Sequence, residues 1–142
     1  MRIAVLAIGR VKEDYFRAAE AEYVRRLRPY CRLSVDEVKE EGALLRLVPD
    51  GALLIALDQR GDLVTSEDLA HGFIGREEQH GGGRPLAFAI GGPDGHSDAL
   101  RRRAGKAIAF GRIVLPHRLA RIVLLEQLYR AFTILRGHPY HH

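Results

Sequence analysis

Three stretches of this chain are apolar almost without interruption: "RIAVLAIG" (Arg2 to Gly9), "ALLIALD" (Ala52 to Asp58) and "PLAFAI" (Pro85 to Ile90). A strand with one wet face alternates apolar and polar residues, so a strand that fails to alternate is covered on both faces. The segments between the runs carry helical spacing. Phe16, Ala19, Tyr23 and Leu27 recur on one side of a helix that Asp14 can cap and Pro29 stops. "RLSVDEV" alternates, with Leu33 and Val35 on one face, and predicts a more exposed strand, followed by the connector "EGALLRLVPDG". Gln59-Arg60-Gly61-Asp62 predicts a turn, Thr65 and Ser66 open an acidic helix toward Phe73 and Ile74, and "GGGR" (Gly81 to Arg84) marks a loop. "SDALRRRAGK" predicts a short capped helix and "AIAFGRIVL" an apolar run bent at Gly111. "HRLARIVLLEQLYRAFTILRG" predicts a closing helix of about twenty residues. Doubly buried strands alternating with helices predict an α/β fold, a parallel-rich sheet covered by helices. With 142 residues, no internal repeat and no boundary, residues 1–142 are read as one domain.

Ligands of such sheets bind beyond the carboxyl ends of the strands. Leu57-Asp58, Gly91-Gly92 and Leu115-Pro116 all fall at such ends, so the three seams are expected to lie near one another. The middle seam, "IGGPDG", places Gly91, Gly92 and Gly95 where a strand turns into a helix. Either the turn itself needs bare backbone, or a ligand lies against it. The spacing is not G-x-G-x-x-G, which speaks against a dinucleotide-dependent oxidoreductase. Asp58 reads as a turn residue first and a binding carboxylate second.

The net charge of +4 favours an anionic partner such as RNA, although solubility alone accounts for it. Arg25, Arg26 and Arg28, and Arg101, Arg102 and Arg103, form two basic clusters on helices, either solvated faces or phosphate contacts. Cys31 is the single cysteine, so there is no disulfide framework and a reducing compartment fits. The opening "MRIAVLAIGR" has the basic residue and apolar run of a signal peptide, but the run soon meets Gly9-Arg10 and reads as a strand. No segment approaches the roughly 20 apolar residues of a membrane span, so a cytoplasmic chain without membrane contact is expected.

On the closing helix Leu119, Ile122, Val123, Leu124, Leu125, Leu128, Tyr129, Phe132, Ile134 and Leu135 cover more than the single stripe a surface helix needs. A partner subunit would cover the surplus; a helix central to a monomer is the alternative. Beyond it, "RGHPYHH" gathers His138, Tyr140, His141 and His142. No cysteine or carboxylate completes a ligand set, so no metal is expected. The segment is either a frayed terminus or a group able to stack on a base, bond its edge and assist proton removal.

"AVLAIGR", "LD-x-x-G" at Leu57 to Gly61, "IGGPDG", and "LPHRLARIVLLEQLYRAFTILRGHPYH" to the end together resemble the RlmH-type 23S ribosomal RNA (pseudouridine) N3-methyltransferases, small members of the SPOUT family. The resemblance covers essentially the whole chain; the connector from Lys39 to Asp50 is shorter than the family pattern and poor in lysine. It implies a C-terminal trefoil knot with S-adenosylmethionine bound among its loops. Leu57, Gly91, Phe110, Gly111, Arg112, Ile113, Val114 and Leu115 would line that site, the glycines letting backbone close on the ligand. It also implies a homodimer in which each site is completed by the other subunit's carboxyl terminus, acting on 23S ribosomal RNA within the ribosome or free. A base or bridging water near His138, Tyr140 and His141 would remove the acceptor proton, and Arg130 would stabilise the anionic base or hold a phosphate. A non-catalytic RNA- or ribosome-binding module that keeps the fold is the alternative.

Overall fold

The computed structural model describes residues 1–80 and 82–142; Gly81, in the expected "GGGR" loop, lies outside them. Five strands, β1 (Arg2–Ile8), β2 (Arg32–Val38), β3 (Leu53–Leu63), β4 (Leu86–Ile90) and β5 (Lys106–Ala109), form one sheet in the order β2-β1-β4-β3-β5. Every pairing is parallel. Both faces are covered, as the apolar runs require. Ile3, Val5, Ile55, Phe88 and Ile90 point to one face, where α1 (Asp14–Leu27), the long helix α5 (His117–Arg136) and a π-helix (Asp68–Gly75) pack. Ala4, Ala56, Ala87 and Ala89 point to the other, and their small side chains let the short helices α2 (Glu41–Arg46) and α4 (Asp98–Arg103) pack closely through Leu44 and Leu100. The four-residue α3 (Arg76–Gln79) continues the π-helix.

The structure differs from the sequence reading at four places. Helix α1 starts at Asp14 itself, with Glu13 in the capping position; Glu13 makes no side-chain capping bond, and its carboxylate pairs instead with Arg118 at 3.0 Å. The connector contains α2, whose first turn is capped by the Glu40 carboxylate accepting from the amides of Gly42 (3.2 Å) and Ala43 (2.8 Å). The expected acidic helix is a π-helix, opened by Thr65 and Asp68, which exchange side chain-to-amide hydrogen bonds of 2.9 Å. The expected turn at Gln59–Asp62 is a bulge within β3: Ile108 faces Leu57, then Asp62, and the strand continues to Leu63. Gly61 makes the bulge possible, since a Cβ there would lie 2.6 Å from the carbonyl carbon of Ala107.

Most of the apolar surface on α5 is buried within the protomer. Flanked by α1 and the π-helix, it buries Leu124, Leu125, Leu128, Ala131 and Phe132 completely. The surface left over lies at its amino-terminal end, where Leu119 is exposed and Ile122 and Val123 are half-buried, next to the exposed Ile113 and Val114. Among the described residues no helix is long and apolar enough to cross a membrane.

Candidate active site

The carboxyl ends of β3, β4 and β5 open into a cavity of about 610 Å³. Its walls are the β3 bulge (Leu57 to Arg60), the loop after β4 (Gly91 to His96), and the segment after β5 together with the start of α5. The three seams thus meet, although only Gly91-Gly92 follows a strand end directly: β3 continues past Leu57-Asp58 through its bulge to Leu63, and β5 stops at Ala109, six residues before Leu115. Leu57, Gly91, Phe110, Gly111, Ile113, Val114 and Leu115 line the cavity. Arg112 is not among the lining residues: its guanidinium reaches across to the carbonyls of Gln59 and of Gly61, the latter at 2.9 Å, and so ties this segment to the bulge.

The glycines of the middle seam answer first to the turn. A Cβ on Gly91 would lie 3.0 Å from the carbonyl carbon of Gly95, and Gly95 itself has φ +73°. The loop closes on its own backbone there, and a side chain at Gly91 would require that backbone to give by a few tenths of an ångström whether or not a ligand is bound.

Asp58 is more than a turn residue. Its Oδ1 accepts from the Arg60 amide (3.0 Å) and Nε (3.2 Å), and its Oδ2 from Arg60 Nη2 (3.2 Å) and Arg101 Nη1 (3.1 Å). Burial works against ionisation of this carboxyl most strongly, yet the hydrogen bonds and charge of Arg60, with His96 nearby, hold it below the usual aspartate range. One of the six basic-cluster arginines, Arg101, is therefore committed to the cavity wall. Arg102, Arg103 and Arg28 are exposed, Arg25 and Arg26 pair with Glu22, and Arg26 also lies over the rings of Tyr23 and Tyr129.

Three residues in or near the site were not singled out from the sequence. His117, on the cavity wall at the start of α5, is pushed below the ordinary histidine range by burial and by the charges of Arg118 and Arg121, so it is a neutral imidazole at physiological pH. Arg121, one turn further on and completely buried, donates to Glu37 (2.7 Å) and Glu20 (3.0 Å), joining α5 to β2 and α1. His96 is buried with one ring nitrogen 3.1 Å from the Ala89 carbonyl oxygen. The "LPHRLAR" motif contained the first two, but only the packing shows what they hold.

The histidine-rich tail is ordered and lies elsewhere. Gly137, at φ +69°, caps α5, and the His138 amide donates back to the Thr133 carbonyl at 2.9 Å. Tyr140 packs edge-on against Tyr129, ring centroids 4.7 Å apart, under the Arg130 guanidinium at 5.0 Å. Arg130 Nε donates to Glu126 at 2.9 Å. His138, Tyr140, His141 and Arg130 are therefore brought together at the carboxyl end of α5, while the cavity touches its amino end. Tyr140 and His141 fold back onto the stretch from Glu126 to Arg130, whereas the cavity touches His117 and Ala120, so six to ten helical residues separate the two groups, roughly 9–15 Å at 1.5 Å per residue. Among the described residues no group of three or more histidine, cysteine or acidic side chains could hold a metal ion.

A parallel sheet with helices on both faces and a cavity of ligand size at the carboxyl edge of its strands define an α/β protein with an open pocket beside β4. The chain belongs to the SPOUT methyltransferase family: residues 1–141 match the family model described as "Predicted SPOUT methyltransferase". It is 45% identical over 155 aligned positions, covering all of both chains, to the ribosomal RNA large subunit methyltransferase H of Geotalea uraniireducens. That alignment is longer than this chain, so the relative carries residues this protein lacks. A probable methylase family protein from Haemophilus influenzae shares the fold with a TM-score of 0.65 and 13% identity, over 99% of this chain and 70% of its own. The SpoU methyltransferase AviRb from Streptomyces viridochromogenes, solved in complex with AdoMet, shares it with a TM-score of 0.52 and 14% identity, over 91% and 57%.

Proposed function

We propose that this protein uses S-adenosylmethionine to methylate N3 of a pseudouridine in 23S ribosomal RNA, as a cytoplasmic homodimer with a trefoil-knotted donor site. The observation that carries the reading is the cavity at the carboxyl ends of β3, β4 and β5, in a chain aligned end to end with a ribosomal RNA methyltransferase. The residues present fit the donor. Leu57, Ile90, Ile108, Phe110 and Leu115 offer apolar walls for an adenine ring and a methionine chain, and the backbone of the glycine loops offers amides and carbonyls for their polar edges. When bound, S-adenosylmethionine supplies a methyl group already activated by its sulfonium.

What the protein adds is alignment and removal of a proton. The walls orient the donor for in-line transfer, and the acceptor, an imide nitrogen, must give up its proton to a nearby base. The candidate bases pack against Glu126 to Phe132 of α5, roughly 10–20 Å along the helix from their own cavity at His117 and Ala120. A second subunit can bring its tail to this cavity, and Ile113, Val114 and Leu119 give it an apolar surface to sit on. The histidine and tyrosine rings of that tail stack on the base and bond its edge, and Arg130 meets its negative charge.

The test removes Tyr140 to His142 from one chain and blocks the donor cavity of another with Gly91→Val, which forces the loop off the Gly95 backbone. Each variant alone should fail to form N3-methylpseudouridine in ribosomal RNA, read by mass spectrometry. Only the first should still bind S-adenosylmethionine in calorimetry. Mixing them should restore part of the activity, because one site in a mixed dimer is complete, and sedimentation should give about twice 15.9 kDa. No restored activity, or an active monomer, refutes the shared site.

A further inference from the structure

The tail offers three candidate proton acceptors, and their existing hydrogen bonds separate them. The Tyr140 hydroxyl donates to Glu126 Oε1 at 3.3 Å; burial, and then the Glu126 charge, push that phenol up to about 12, so it stays protonated at neutral pH. His141 is engaged at both ring nitrogens. An arginine can only donate, so His141 Nδ1 accepts from Arg130 Nη1 at 3.0 Å and its Nε2–H donates to Glu67 Oε1 at 2.7 Å. His138 is different. Its Nδ1 lies 2.6 Å from the Tyr30 hydroxyl, and its Nε2 has no partner among the described residues.

Both members of that pair are fixed by the fold. The Tyr30 ring stacks on the buried Phe132, centroids 5.4 Å apart and planes 18° from parallel, and its amide donates to the Leu27 carbonyl at 2.9 Å. His138 is held by its amide bond to Thr133 at the end of α5. A tyrosine hydroxyl can donate or accept, so this contact is compatible with either tautomer, and a bare Nε2 requires that Tyr30 act as the acceptor. We infer that Tyr30 is a positioning residue for methyl transfer: its oxygen accepts from Nδ1–H of His138 and leaves the Nε2 lone pair to take the nucleobase proton. This rests on the methyltransferase reading above. In the step, the N3 proton passes to Nε2 and the ring becomes an imidazolium, still bonded to Tyr30. The N3 electron pair forms the bond to the methyl carbon, and the carbon–sulfur bond breaks with its electrons on sulfur, leaving a neutral thioether.

Two measurements on the full-length chain test it. Nitrogen-15 correlation spectra of the imidazoles, with His138→Gln for assignment, should show His138 protonated at Nδ1 and bare at Nε2. Tyr30→Phe, which keeps the stacked ring, should move the proton to Nε2. A wild-type His138 protonated at Nε2 overturns the inference. With ribosomal RNA as substrate, Tyr30→Phe should lower kcat on the order of 10-fold with unchanged KM and donor affinity, and His138→Gln by ~10²- to 10⁴-fold. The double variant should be no slower than His138→Gln alone. An unchanged kcat in Tyr30→Phe, or the same loss from it in both backgrounds, overturns the inference alone. Wild-type protein that forms no methylated pseudouridine overturns the methyltransferase reading and this inference with it.

Discussion

Replacing Gly61 with alanine should damage the fold and the cavity together. Its Cβ would lie 2.6 and 2.7 Å from the carbonyl carbon and oxygen of Ala107, and 2.7 Å from the amide nitrogen of Ile108. All three atoms are backbone, so no rotamer change relieves the clash; β3 and β5 must move apart. Overpacking of this kind typically costs about 1–3 kcal/mol. The pairings beyond the bulge, Asp62 with Ile108 and Leu63 with Ala109, are the ones at risk, as is the 2.9 Å bond from Arg112 to the Gly61 carbonyl. A loss of about 2–3 kcal/mol follows. With an unfolding entropy of about 2.1 cal/mol/K per residue, that lowers Tm by roughly 7–10 °C for a chain this long. Ile108, Ala109 and Phe110 wall the cavity, so donor affinity should fall as well. Thermal unfolding followed by circular dichroism and calorimetric titration with S-adenosylmethionine read the two effects. Wild-type values for both would show that the strands do not touch at the bulge.

Gly72→Ala is the converse case: on the π-helix its Cβ meets nothing within 4 Å, so stability should rise by about 0.4–1 kcal/mol in chemical denaturation. Arg84→Ala strands the carboxylate of Glu77, whose side chain is only 3% exposed, and should cost about 3 kcal/mol; adding Glu77→Gln should recover part of it. Acid should destabilise the protein in two stages. His117 is depressed in the folded state, so the unfolded chain binds more protons and stability begins to decline shallowly as pH falls through about 6.5. Glu77, held down by the Arg84 hydrogen bond, and Asp58 and Glu37, held down by arginine and amide partners despite burial, add a steeper loss below about pH 4.5. Denaturant titrations across pH should show the lower stage reduced in Asp58→Asn; an unchanged slope would exclude Asp58 as a contributor.

The buried strands were legible because burial on both faces leaves no position for a polar residue, and β1 and β4 are the clearest cases. β3 was legible only to Asp58, since a bulge that needs a glycine has the local composition of a turn. Helix α2 was not legible: six residues hold no periodicity, and it forms because Glu40 caps it and Leu44 reaches the core. Strand polarity anticipated that the three seams meet, but not that β3 runs on past Asp58 or that a loop from Phe110 carries Leu115-Pro116 to the cavity. The partners within the site were not legible, because Arg101 meets Asp58 across 43 positions and Tyr30 meets His138 across 108. Local pattern cannot anticipate such pairs, and Arg112 shows the opposite risk, a residue in the right segment whose side chain serves the backbone behind it.

The strand order has a consequence for how the chain is made. β4 lies between β1 and β3, so the centre of the sheet cannot close until residues 86–90 have been synthesised. At about 5–20 residues per second, β1 waits roughly 4–16 s for that neighbour. Meanwhile its apolar edge, and that of β3, have no central strand to pair with. Pairing β1 with β4 also closes a loop of some 80 residues, the kind of distant contact that makes folding slow. Truncation before β4 should therefore yield insoluble nascent chain, whereas stalling synthesis after α5 has cleared the ribosome should release a protein already folded.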